Sequence, residues 1–279
     1  MLKATNISSV PQRSPFRYPG GKTWLIPQIR SWLNARGGHN VHLIEPFAGG
    51  GIVTLTAVAE GFIDAATMVE LDANVAAVWR AILGGCGRAL ADQIKNFNFN
   101  KKNVVIILNA KPRNLREHAF QTILMNRVKR NGILASGAGL LKQGEAGYGL
   151  KSRWYPDTLA NRILEIMKYR DIIIFKQGDG LRFLRDCINQ RNSIFFIDPP
   201  YSQVGKRLYR LGDISQEELF ETVSGLNGDF LMTCNKTKEV QKFVDKFRFQ
   251  TKEIQMSGGL NKKKTEVLIG RDLTWIRPL

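Results

Sequence analysis

The sequence predicts an α/β protein, a mostly parallel sheet with crossover helices and an antiparallel end. Three observations carry that reading. A strand, a glycine-containing turn and a helix follow one another, and a second strand–helix pair comes directly after, all within residues 41–83. The same rhythm returns beyond residue 170, and the chain closes on two alternating strand candidates separated by one loop. Strands alternating with helices of this length are joined by crossovers, which makes their pairing parallel. At 279 residues and 43% hydrophobic, the chain has material for a real core, and 23% charged residues exclude a wholly disordered one. The length fits one large domain with a sizeable insertion.

The elements run as follows. Val41-His42-Leu43-Ile44-Glu45 is a short apolar strand that breaks at Pro46, opens into Ala48-Gly49-Gly50-Gly51 and leads to a helix over 52–60 that stops at Gly61. A strand over 66–71 and a helix from Asn74 to about residue 83 come next. In the second half, 171–175 reads as a buried strand, 180–189 as a helix and 193–197 as a strand ending in Asp198-Pro199-Pro200-Tyr201. A helix over 216–226, a strand over 229–233 and a helix over 238–247 follow. Residues 249–255 and 265–269 form the antiparallel pair.

Charge sets the middle of the chain apart. With 41 Lys and Arg against 24 Asp and Glu, the net charge is +17, and a surface of that kind favours a polyanionic partner. Residues 101–176 hold 15 Lys and Arg against 5 Asp and Glu, a net of +10. Within them, residues 132–149 contain six glycines and little periodicity. A basic insertion into an α/β core is what a nucleic-acid-reading segment would look like. A solvated excursion is the competing account.

Cys86, Cys187 and Cys234 are odd in number and far apart, and the histidines are His39, His42 and His118. That pattern predicts neither a metal site nor a disulfide framework, and it fits a reducing compartment. The N-terminus lacks the apolar core of a signal peptide, and no apolar run reaches membrane-spanning length. A cytoplasmic protein without a membrane partner is expected.

Two constellations bear chemistry. Glycines at the turn after Phe47 let backbone approach a ligand, and the helix that follows offers free amides. A plain tight turn explains this segment as well, since it is neither GxGxxG nor a phosphate loop. Glu70, near the end of the next strand, is placed to accept both hydroxyls of a ribose. Asp72 competes for that role and equally fits as the cap of the helix behind it. The second constellation, Asp198-Pro199-Pro200-Tyr201, is the sharper one. Its prolines donate no N–H and stiffen the turn, so a carboxylate and a rigid carbonyl form a two-acceptor site matched to an exocyclic amino group. Tyr201 adds a flat face for a planar base.

In order along the chain, Phe16-Arg17-Tyr18-Pro19-Gly20-Gly21-Lys22, Glu45-Pro46-Phe47-Ala48-Gly49-Gly50-Gly51, Asn126-Arg127-Val128-Lys129-Arg130-Asn131-Gly132 and Asp198-Pro199-Pro200-Tyr201 resemble the motifs of the DNA adenine-N6 methyltransferases of the Dam-like group. The resemblance covers nearly the whole chain. It implies a Rossmann-like methyltransferase sheet over 1–95 and 170–279, with an inserted, mainly helical target-recognition subdomain over 96–169. It implies S-adenosylmethionine as cofactor, contacted by Tyr18, Lys22, Glu45, Phe47, Ala48, Gly49, Gly51, Glu70, Leu71, Asp179 and Asp198. Lys22 would pair with the carboxylate of the methionine part, and Asp179 would face the adenine or simply cap a helix. Asp198, Pro199, Pro200 and Tyr201 would be catalytic. The implied substrate is adenine N6 in double-stranded DNA, with Arg116, Arg127, Lys129, Arg130, Asn131, Lys142, Lys151 and Arg153 as DNA contacts. A bacterial or phage-encoded monomer is implied, with a cognate restriction enzyme as a partner left open. Residues 133–149 depart from the hairpin that reads GATC, and Ser152-Arg153-Trp154-Tyr155-Pro156 is more like other branches of the group. The alternatives are an RNA or protein amino-group methyltransferase and a non-catalytic DNA-binding relative.

Overall fold

The computed structural model describes residues 2–3, 9–17, 21–36, 39–132, 134, 139–142, 144, 147–200, 214–257 and 263–276. Strands β1 (Leu2–Lys3), β2 (His42–Glu45), β3 (Ala65–Glu70), β4 (Ile173–Gln177), β5 (Ser193–Ile197), β6 (Asp229–Asn235), β7 (Gln250–Ser257) and β8 (Lys263–Gly270) form one sheet. Their order is β1-β7-β8-β6-β5-β2-β3-β4. Pairing is parallel except where β8 lies between β6 and β7, so the antiparallel end is as the sequence predicts.

The central strands are apolar on both sides because both sides are covered. Leu43, Phe196, Leu231 and Leu268 face one hydrophobic cluster, while Ile44, Phe195, Met232 and Ile269 face the other. The first cluster takes side chains from helices α1 (Ile26–Arg36), α2 (Ile52–Ala59), α3 (Ala73–Ala81), α4 (Gly87–Asn96), α5 (Lys101–Asn109), α6 (Leu115–Val128) and α7 (Pro156–Met167). The second takes them from α8 (Gly180–Asp186), α9 (Gln216–Ser224) and α10 (Lys238–Phe247). The result is a three-layer α/β/α body. Short polar side chains start the helices: Asp72, Asn100, Asn114, Asp179, Ser215 and Thr237 each accept first-turn amides.

One expectation needs correction. The apolar run at 171–175 predicts a buried strand, but the strand is Ile173–Gln177, and it forms the sheet edge beyond β3. Ile174 is 55% exposed. Apolar content alone does not reveal whether a strand has a neighbour on each side.

The middle of the chain is more helical than its glycines suggest. α6 buries Ala119, Phe120, Ile123, Leu124 and Val128. Phe97 meets Phe120 and Trp154 edge-on at 5.1 and 5.8 Å between ring centroids, and Phe99 stacks on Trp154 at 5.3 Å. These aromatics belong to the same continuous cluster as the sheet face, so residues 96–169 are cored together with α3 and α4.

Candidate active site

Along the chain, β2, β3 and β4 add strands in one direction, and β5 then returns to the other side of β2. The order reverses between β2 and β5. At such a reversal the crossovers on either side diverge, and a crevice opens beyond the carboxyl ends of the strands. The glycine turn leaves β2 there, and Asp198 leaves β5 there.

The glycine turn is fixed from beneath. Ala48 N donates to Val69 O at 2.9 Å, and the Trp79 indole N–H donates to Gly49 O at 2.9 Å. Gly51 has φ +62°, and a Cβ there would lie 2.6 Å from Met68 Cε and 2.8 Å from Trp79 Cζ2. Only glycine meets both demands. Gly180, which begins α8, packs against Pro46 O and the Phe47 ring and brings Asp179 beside the turn.

Besides Asp198, four acids stand at or just beyond the ends of β2, β3 and β4. Glu70 is 8% exposed; its Oε2 accepts from Gly49 N at 2.9 Å and its Oε1 from Asp72 N at 2.8 Å. Burial pushes its carboxyl up to about 7, against those backbone bonds. Asp72 caps α3, accepting from Asn74 N at 2.7 Å and Val75 N at 3.2 Å. Asp179 likewise caps α8 through Leu181 N and Arg182 N. Glu45, 3% exposed, accepts both Thr54 N and the Thr54 hydroxyl, and burial pushes it up to about 8. It lies at the end of β2, which it ties to the first turn of α2.

Asp198 sits in a charged cluster. Thr233 Oγ1 donates to Asp198 Oδ1 at 2.6 Å, and Lys22 Nζ pairs with the same oxygen at 2.8 Å. Lys22 is 3% exposed and also faces Glu266 Oε2 at 3.6 Å. Burial alone would lower the Lys22 ammonium, but Asp198 and Glu266 hold it above its ordinary value. The resemblance pairs Lys22 with the cofactor's carboxylate, whereas here it is committed to two carboxylates of the protein. Thr233 and Glu266 were not legible as site residues. The only signal was an acid leading into the apolar run Val267-Leu268-Ile269.

The basic candidates divide by exposure. Arg116, Arg130, Lys142 and Lys151 are exposed, and Lys129 and Arg153 are half-buried. Arg127 is a correction: it is 4% exposed, and its Nη2 donates to Pro15 O at 2.6 Å. Burial, reinforced by Arg162, Arg17 and Arg153, pulls its guanidinium down to about 9. It lies on the inner face of α6, where helical periodicity places it, and ties down the N-terminal segment. Beside it, Asn126 accepts Arg17 N at 2.9 Å and donates to Arg17 O and Gly132 O at 3.0 and 2.9 Å. The first and third motifs therefore touch, although about 110 residues separate them. Phe47 is half-buried, Ala48 and Gly49 are buried, and Leu71 is exposed beside Glu70. Pro199 is buried and Pro200 half-buried. Tyr18 and Tyr201, and the side chain of Asn131, lie outside the described residues. Among the described residues no cluster of His, Cys, Asp and Glu could hold a metal, and no helix is long and apolar enough to cross a membrane.

No curated protein matches the chain in sequence. Among solved structures, the rRNA methyltransferase aviRa of Streptomyces viridochromogenes is similar at 12% identity and TM-score 0.45, covering 96% of this chain and 93% of that one. TrmK of M. capricolum, solved with S-adenosylhomocysteine, is similar at 8% identity and TM-score 0.38, covering 88% and 68%. Likenesses this weak say nothing about substrate. The family model described as "D12 class N6 adenine-specific DNA methyltransferase" matches residues 18–257, from within the first motif to the end of β7. With three of the motifs and most of the first inside that match, this chain belongs to the D12 class of N6 adenine-specific DNA methyltransferases and is a methyltransferase that uses S-adenosylmethionine.

Proposed function

We propose that this protein methylates the N6 amino group of adenine at specific sites in double-stranded DNA. The observation that carries the reading is the placement of Asp198. It stands at the carboxyl end of β5, across the order reversal from the glycine turn, and Thr233 and Lys22 both hold its Oδ1.

The crevice fits S-adenosylmethionine. Glu70 lies at the carboxyl end of β3 and already accepts the amide of Gly49, so a ribose held there would also lie against the glycine turn. Gly51, where a side chain has no room, and the nearby start of α8 keep the turn close enough for backbone contact. Tyr18, Phe47, Ala48, Gly49, Leu71 and Asp179 complete the proposed set. Lys22 would reach the cofactor's carboxylate only by exchanging one of its present partners. When bound, the cofactor supplies an electrophilic methyl group.

The protein's own part is orientation. Adenine N6 is inaccessible within the duplex, so the base must be flipped out. Asp198 and the Pro199 carbonyl would accept the amino protons and turn the nitrogen lone pair toward the methyl group. A fixed carboxylate also favours positive charge developing on that nitrogen, and it needs no reorganisation to do so. Tyr201 would stack on the base, and Pro200 keeps the turn rigid.

Residues 96–169 are the proposed target-recognition part and 1–95 with 170–279 the catalytic part. Arg116, Lys129, Arg130, Asn131, Lys142, Lys151 and Arg153 would meet DNA. Radiolabelled methyl transfer to DNA, RNA and peptide pools, with Asp198→Ala as control, tests the reading. DNA should be labelled on adenine N6, and the variant should be folded by circular dichroism and inactive. Labelling confined to RNA or peptide, or a variant with wild-type rate, overturns it.

A further inference from the structure

Glu266 is buried at a position where an apolar residue would serve the fold. It is 4% exposed on β8, and Val267, Leu268 and Ile269 follow it into the core. It lies opposite Asn235 of β6, two places from Thr233 on that strand, so its side chain shares a sheet face with Thr233. Burying an ionised carboxylate is costly, and a well-packed apolar replacement is often more stable. Lys22 faces it at 3.6 Å and at the same time contacts Asp198 at 2.8 Å.

The arithmetic of charge suggests its use. Lys22 with Asp198 alone would be a neutral pair, and the ammonium would cancel the field of the carboxylate. With an ionised Glu266 the three groups would carry a net −1, and the ammonium would be shared between two anions. Among the described residues, Glu45 and Cys234, whose charge would reach Asp198, do not supply it. Glu45 of β2 is held up to about 8 by burial, and the Cys234 thiol of β6 is pushed upward by burial and by both carboxylates.

We infer that Glu266 is a positioning residue for methyl transfer: it holds Lys22 between two carboxylates so that Asp198 stays anchored through Oδ1 while keeping its negative field at the target amino group. The inference rests on the proposed reaction for its consequence, and on the Lys22–Glu266 pair for its geometry.

Glu266→Gln keeps shape and removes charge. Its kcat on DNA should fall about tenfold, equivalent to ~1.4 kcal/mol. The KM for DNA should stay within about twofold, because the proposed DNA contacts lie on the inserted part and not on β8, whereas the calorimetric affinity for S-adenosylmethionine should not fall, since a Lys22 released from Glu266 is freer to meet the cofactor's carboxylate. Glu266→Asp should recover most of kcat. A second readout needs neither DNA nor cofactor. The Lys22 ammonium should give a slowly exchanging 15N resonance in the free protein, lost in Glu266→Gln and kept in Glu266→Asp. A Glu266→Gln enzyme with wild-type kcat overturns the inference, as does parallel loss of kcat, KM, affinity and melting temperature in both variants. If wild-type protein labels no DNA, the proposed reaction fails, and the resonance still decides the pair: an unchanged signal in Glu266→Gln overturns it. Should that variant not fold, a wild-type Lys22 ammonium exchanging as fast as an exposed lysine overturns it equally.

Discussion

Glu70→Ala should weaken two things at once, because the Glu70 carboxylate has two jobs. It accepts the amides of Gly49 and Asp72 at 2.9 and 2.8 Å. Gly49 is buried, so its orphaned N–H carries a desolvation cost of about 1–3 kcal/mol, while water can reach the amide of half-buried Asp72. Removing a carboxyl that burial has pushed up to about 7 returns part of that cost. A net loss of about 1–3 kcal/mol of folding stability follows. Loss of the ribose acceptor should separately weaken S-adenosylmethionine binding by about 1–3 kcal/mol, roughly ten- to hundredfold. Urea denaturation and calorimetry read the two effects. The sign with pH is also set: an ionised carboxylate is the better acceptor, so wild-type affinity should strengthen as pH rises through 7, and Glu70→Gln should lose that dependence. Asp72→Ala is the control. It removes only the cap of α3, which costs about 1 kcal/mol of stability and should spare cofactor affinity. If Asp72→Ala has the larger effect on binding, or Glu70→Ala melts and binds like wild type, the assignment of Glu70 is wrong.

Three further outcomes are expected. Gly51→Ala should cost about 2–5 kcal/mol by urea denaturation, combining a left-handed backbone with overpacking against Met68 and Trp79. Gly84→Ala, where a Cβ meets nothing within 4 Å, should not share that loss. Arg127→Ala should destabilise the fold by about 1–3 kcal/mol through the Pro15 carbonyl it leaves bare. Arg130→Ala should leave stability within about 0.5 kcal/mol, and for a phosphate contact it should reduce the salt slope of DNA binding by about one; equal stabilities of the two variants would refute the division. Glu45 should make the protein less stable as pH rises from about 5 to 8. The unfolded carboxyl releases its proton near 4.5, whereas the buried one keeps it up to about 8. Melting temperatures of wild type and Glu45→Gln across that range should converge at low pH and separate at high pH, with the variant the more stable.

The order of strands and helices was legible in the sequence, because apolar runs and glycine turns are local signals and each marks one element. The Asp198 and Glu70 positions were legible too, since an acid at the end of an apolar strand is conspicuous wherever the strand lies. Tertiary structure decided the rest. It placed the strand at 173–177 on the sheet edge, made Asp72 and Asp179 caps, and turned Arg127 from a surface cation into a buried tether. It also brought Lys22, Thr233 and Glu266, scattered over about 240 residues, to a single carboxylate. No local pattern could have shown this. A buried ion pair is written in two distant stretches of chain, and neither stretch alone reveals whether its charge faces water or a partner.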